Sequence, residues 1–155
     1  MILKPIVLIV MLLSFNSLVF AQSPSPLGLW LVEEGDALIE IYACGSFLCG
    51  KIACVKEPFE ADGSVKLDKH NPKPHLRKRP ILGLEMLSNF KTTNDANFWE
   101  EGKIYDPEEG STYKSQFTLK HNKLDLRGYI GFSWIGRTTQ WTRSNQREQF
   151  TCEQS

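Results

Sequence analysis

The sequence predicts an all-β fold: a small antiparallel up-and-down β-barrel of about eight strands. Three observations carry this. Apolar residues recur with period two wherever a period can be read, the apolar runs have strand length, and Gly, Asp, Asn and Pro punctuate them at short intervals. Tyr113, Ser115, Phe117 and Leu119 alternate with Lys114, Gln116, Thr118 and Lys120, placing a largely apolar row on one face and a polar row on the other. Leu124, Leu126, Gly128 and Ile130 alternate in the same way with Asp125, Arg127 and Tyr129. His121-Asn122 between these runs fits a two-residue hairpin turn.

In chain order the expected strands are 28–33, 37–42, 47–55, 83–90, 98–105, 113–120, 124–130 and 137–143. An eight-stranded up-and-down sheet closes into a small barrel and leaves no open edge. The segment Asp106-Pro107-Glu108-Glu109-Gly110 joins the fifth and sixth strands. Pro107 presets the second turn position, the Asp106 carboxylate can accept a backbone bond, and Gly110 tolerates positive φ. The same acids lack the regular spacing and distal glutamate of an EF-hand, so no metal site is expected there. One region resists a regular assignment: 57–80, with Asp62-Gly63, Asn71-Pro72-Lys73-Pro74 and the basic run Arg77-Lys78-Arg79. A connection of this length inside a compact domain is often functional, so it is the expected place for a lid or a partner contact.

Residues 1–21 read as a signal peptide, with Lys4 ahead of an apolar run that ends at Val19-Phe20-Ala21. Residues 22–27 form a flexible lead-in, 28–143 the barrel and 144–155 a C-terminal tail. Export to the periplasm or beyond is the expectation, with no membrane span after cleavage and no cysteine after the apolar run to carry a lipid. The 155-residue chain balances 18 Lys and Arg against 18 Asp and Glu. Bulk electrostatics therefore steers it toward neither nucleic acid nor an anionic surface. Aromatic residues interleaved with a basic stripe, as single-strand binding requires, are not apparent.

An exported chain with four cysteines invites disulfides. Cys44 and Cys49 flank Gly45-Ser46 between two strand-like runs, so a hairpin brings them together and the bond pins its register. The redox alternative fits less well, because redox pairs usually have two intervening residues and a thiol at a helix N-terminus. Cys54 and Cys152 are either a second bridge or free thiols.

Candidate chemistry is sparse. His70, His75 and His121 lack the carboxylate pattern that would complete a metal site. Glu33, Glu34 and Asp36, and Glu100 with Glu101, sit at strand edges or turns, where charge keeps an edge soluble. No nucleophile motif such as G-x-S-x-G is present. Arg77-Lys78-Arg79 offers a grip on phosphate or an acidic polymer, against the plainer role of a solvated loop. Neither a catalytic residue nor a cofactor is expected.

Gly28-x-Trp30 opening the first strand, with Arg143 closing the last, resembles the signature of the lipocalins and the wider calycin superfamily. In those barrels the tryptophan packs under the arginine at one end, a guanidinium-on-indole contact worth about 1 to 2 kcal/mol when desolvated. The blocks GLWLVEEGDALIEIYACGSFLCGKI, LDKHNPKPHLRKRPILGLEML, GKIYDPEEGSTY and LRGYIGFSWIGRTTQWTR are similar to the bacterial exported family termed domain of unknown function 2147. That resemblance implies a lipocalin-like barrel whose biochemical role is unassigned. The chain departs from the family pattern at Cys54 and in the tail beyond Arg143, and the two departures together favour pairing Cys54 with Cys152.

If the barrel keeps an open mouth, Trp99, Tyr105, Tyr129, Phe132 and Trp134 are available to line it, with Arg127 or Arg137 to fix an anionic head group. The opposing reading is that nine Phe, four Tyr and four Trp simply fill the core. The expected function is noncatalytic binding of a small apolar or amphipathic ligand in the bacterial envelope. The alternatives are a protein that docks an envelope partner through 57–80 and a cavity-based hydrolase or isomerase. Room in the lumen separates ligand binding from partner docking, since a lumen filled by its own side chains holds no ligand.

Overall fold

The computed structural model describes residues 25–152; the expected signal peptide, the start of the lead-in and the last three residues lie outside them. The elements are β1 (Gly28–Leu31), β2 (Ala37–Cys44), β3 (Phe47–Val55), β4 (Glu85–Thr92), β5 (Phe98–Asp106), β6 (Ser111–Lys120), β7 (Lys123–Tyr129), β8 (Gly136–Arg143) and β9 (Thr151–Cys152), with a single 3-10 turn at Pro74–Leu76. Each of β1 to β8 pairs antiparallel with its sequence neighbour, and β1 also pairs with β8, so the sheet closes into an eight-stranded barrel. The all-β up-and-down barrel read from the sequence is the fold observed.

Closure defines two ends. The upper end carries the β1–β2, β3–β4, β5–β6 and β7–β8 connectors. The lower end carries the N-terminal approach, the Gly45-Ser46 and His121-Asn122 turns, and the end of β8. At the upper end Asp106 Oδ1 accepts the Glu108 amide at 2.9 Å, and Gly110 has φ +68°. A Cβ on Gly110 would lie 1.9 Å from the His70 carbonyl, so glycine is needed for both conformation and clearance.

The lower end is sealed by Trp30. Its ring is fully buried, Nε1 donates to the Pro26 carbonyl at 2.8 Å, and the Arg143 guanidinium lies 4.3 Å from the ring centroid. Arg143 also donates to the carbonyls of Leu27 and Ser25, tying the lead-in to the barrel floor.

The lumen is packed. Trp30, Ile39, Leu87, Phe90, Phe117, Leu124 and Leu126 are all 0–1% exposed, and a side chain facing a water-sized void would show more surface. Phe90 and Trp99 each lie 4.9 Å from the Phe117 ring centroid, forming an aromatic layer across the interior. Gly102 makes room for it, since a Cβ there would lie 2.4 Å from the Phe90 ring.

One interior group is left orphaned: among the described residues, the buried Thr139 hydroxyl has no hydrogen-bond partner. Thr139→Val keeps the shape and removes that unmet donor, so it is expected to raise stability by about 1 kcal/mol in urea unfolding. A loss of stability would show that the hydroxyl is satisfied.

A second apolar cluster lies outside the barrel. Leu31, Leu38 and Cys54 face one another across β1, β2 and β3, and Cys54 pairs in turn with Cys152 of β9. Leu38 and Cys54 are fully buried there under Phe150 and Cys152. Both disulfides are present, Cys44–Cys49 across its hairpin and Cys54–Cys152 across 98 residues of chain. The long-range bond contributes on the order of 4 kcal/mol by loop-closure entropy. It holds the tail as a belt over the outer face of β1, β2 and β3.

Candidate binding site

The β3–β4 connector is built on one buried carboxylate. Asp68 is fully buried; its Oδ1 accepts the Tyr105 hydroxyl at 2.5 Å, and its Oδ2 accepts Asn71 Nδ2 and Arg79 Nε, each at 2.8 Å. Asn71 Nδ2 also donates to the Tyr105 hydroxyl oxygen at 3.0 Å, and Arg77 Nε donates to the Asn71 carbonyl at 2.7 Å. Two of the three basic residues at 77–79 are therefore engaged within the loop. Burial first, and then the bond to Asp68 and its negative charge, push the Tyr105 phenol above its ordinary value. The network docks the connector against β5 and leaves an apolar underside facing the tail.

Between that underside and the tail opens a cleft of about 360 Å³, lined chiefly by Val55, Pro58, Phe59, Val65, Ile81 and Leu82. Thr151 and Cys152 form its far wall. Lys66 and Glu57 stand at the rim, with Lys66 Nζ 4.0 Å from the Glu57 carboxylate. Phe59 and Val65 are 55% and 46% exposed, which is unusual for apolar side chains that a loop could have turned inward. On its other side Phe59 borders a shallower and more polar concavity of about 520 Å³, reached by Lys56 and Glu60. The cleft lies beside the barrel, not within it.

The residues expected to line a mouth are dispersed. Trp99 is in the aromatic layer of the core. A register shift between Trp99 and Gly102 turns Gly102 and Ile104 inward, which puts Tyr105 on the face that meets Asp68. Arg127 and Tyr129 occupy the row opposite Leu126 and Gly128, and Arg127 donates to the Ser133 carbonyl and, at 2.9 Å, to the Thr138 hydroxyl. Arg137 projects from the upper end, 4.0 Å from Glu34. Trp134 is 72% exposed at the tip of the β7–β8 connector. The sequence marks Asn71 only as the start of a proline-rich turn and does not mark Asp68; an Asp three residues before Asn-Pro fits a loop turn, and nothing local shows that aspartate to be buried. No group of three or more His, Cys, Asp or Glu suited to a metal occurs among the described residues.

Residues 28–143 match the family DUF2147, described as an uncharacterized protein conserved in bacteria. The chain belongs to this family. No curated protein matches it. Among solved structures it is similar to protein HP1028 from the human pathogen Helicobacter pylori, described as belonging to the lipocalin family. That likeness has 24% identity and a TM-score of 0.66, and covers 78% of this chain and 84% of that one; at this identity it speaks to the barrel alone. The DUF2147 match spans the whole barrel and the long connector, and ends before Phe150, Thr151 and Cys152, the tail residues that bury the outer cluster and wall the cleft.

Proposed function

We propose that this DUF2147 protein is an exported binding module that takes a small apolar or amphipathic ligand in the cleft beneath the β3–β4 connector. The observation that carries the reading is the contrast between a lumen filled by its own aromatic layer and an apolar cleft of about 360 Å³ beside it. An eight-stranded barrel interior is just wide enough either to be filled by side chains or to hold one small ligand. With the lumen filled, ligand space passes to the outer cleft, where the apolar lining accepts a chain or ring and Lys66 is placed for an acidic head group. Two disulfides in a bacterial family fit an oxidising compartment outside the cytoplasm. No helix among the described residues is long and apolar enough to cross a membrane.

Native mass spectrometry of protein purified without refolding, followed by extraction of any adduct, tests this directly. A stoichiometric apolar compound is expected, and Val65→Glu, which puts a charge on the cleft wall at a half-exposed position, is expected to lose it. Val65→Glu is also expected to weaken the apolar dye N-phenyl-1-naphthylamine about tenfold. An adduct or dye signal unchanged by Val65→Glu would sink the cleft as the site.

A further inference from the structure

The β7–β8 connector exposes more apolar surface than a turn requires. Ile130, Phe132, Trp134 and Ile135 are 69%, 60%, 72% and 58% exposed within six residues. Soluble surfaces rarely gather such side chains without a partner. The loop is also held by hydrogen bonds of its own. Ile130 N donates to the Ile135 carbonyl at 3.2 Å, Ile135 N donates to the Phe132 carbonyl at 2.9 Å, and Arg127 clamps Ser133 from the adjoining strand. The Phe132 and Trp134 rings stack at 4.5 Å and 7°. A preformed aromatic pair loses little entropy on binding.

Charge around this finger selects among occupants. Circular strand order puts the β1–β2 connector on one side and the β5–β6 connector on the other. The first exposes Glu33, Glu34 and Asp36, and the second exposes Glu108 and Glu109. Of the cations at the finger's base, Arg127 is held by Ser133 and Thr138 and Arg137 stands 4.0 Å from Glu34, while the exposed Lys114 lies opposite Tyr129 on the side of Glu108 and Glu109. An apolar ridge between two acidic banks repels an anionic bilayer and complements a segment whose apolar face is bordered by Lys or Arg. We infer that the β7–β8 finger is a docking surface for a cationic amphipathic polypeptide segment, with Phe132 and Trp134 as its anchors and the flanking carboxylates as its charge selectors.

Trp134 reports on the surface, because Trp30, Trp99 and Trp141 are at most 5% exposed. The probes are a designed Leu/Lys amphipathic helical peptide, a Leu/Glu peptide of the same length and apolar pattern, and phosphatidylglycerol vesicles. The Leu/Lys peptide is expected to shield Trp134 from acrylamide. Phe132→Ser should weaken its binding about tenfold or more, as loss of an anchor does. The pair Glu33→Gln and Glu34→Gln should weaken it several-fold and flatten its salt dependence. Both sets of positions are exposed, so the barrel stays folded, which circular dichroism checks, and Val65→Glu should leave peptide binding unchanged. Equal binding of the Leu/Glu peptide, indifference to Phe132→Ser, no shielding by the Leu/Lys peptide, or shielding by vesicles alone would each overturn the inference.

Discussion

Trp30→Ala is expected to lower the unfolding free energy by about 3–5 kcal/mol, the range for deleting a fully buried large aromatic side chain. The loss has two parts. The ring fills the barrel floor beneath Arg143, and its Nε1 satisfies the Pro26 carbonyl, so alanine leaves a cavity as well as an acceptor without its donor. Arg143→Ala should cost less, about 1 to 2 kcal/mol, because the guanidinium is solvent-facing and its bonds to Leu27 and Ser25 can pass to water. Arg143→Lys should not restore the difference, since an ammonium cannot lie flat on the indole while donating to two carbonyls. Urea unfolding of the single and double variants gives the coupling. A Trp30→Ala loss below about 1.5 kcal/mol would mean that the floor is held mainly by the β-ladders.

Much of the barrel was legible because its strands state which side is inside. Tyr113, Ser115, Phe117 and Leu119 alternate without interruption in β6, and the turns at Asp106-Pro107 and His121-Asn122 name their own geometry. Legibility stopped where the period broke. The shift between Trp99 and Gly102 separates two aromatics that strict alternation places on one face, and so sends Trp99 to the core and Tyr105 to Asp68. Whether the lumen was filled depended on Phe90 lying over Gly102, a contact between residues on neighbouring strands that neither residue type announces. The tail was opaque for a different reason. Two paired residues have no periodicity, and the apolar partners of Phe150 sit on a face of β1 and β2 that the alternation assigns to solvent. The cleft joins one region marked as functional in the sequence to one that was not, since the long connector supplies one wall and the tail the other.

That dependence makes Asp68→Ala the most informative change near the cleft. Asp68 gathers Tyr105, Asn71 and Arg79 at a site with no solvent access, and removing the carboxylate leaves the buried donors without an acceptor at a cost of about 3 kcal/mol. The cost should fall on docking of the connector and not on the barrel, whose ladders run independently of it. Hydrogen exchange is then expected to lose about a hundredfold in protection at the amides of Lys66, Asp68 and Ile81, which bond across the connector. The amides of β6 and β7 should keep theirs. Arg79→Gln should be milder, because that side chain is 37% exposed and the glutamine amide can still donate a hydrogen bond toward Asp68. Apolar dye binding should fall with Asp68→Ala as the cleft loses its wall, whereas shielding of Trp134 by the Leu/Lys peptide should persist, since the finger is clamped by Arg127 and not by the connector. Loss of protection throughout the barrel would instead assign Asp68 to global folding. Unchanged dye binding with a released connector would separate the ligand from the cleft, and so decide between the two surfaces at the upper end.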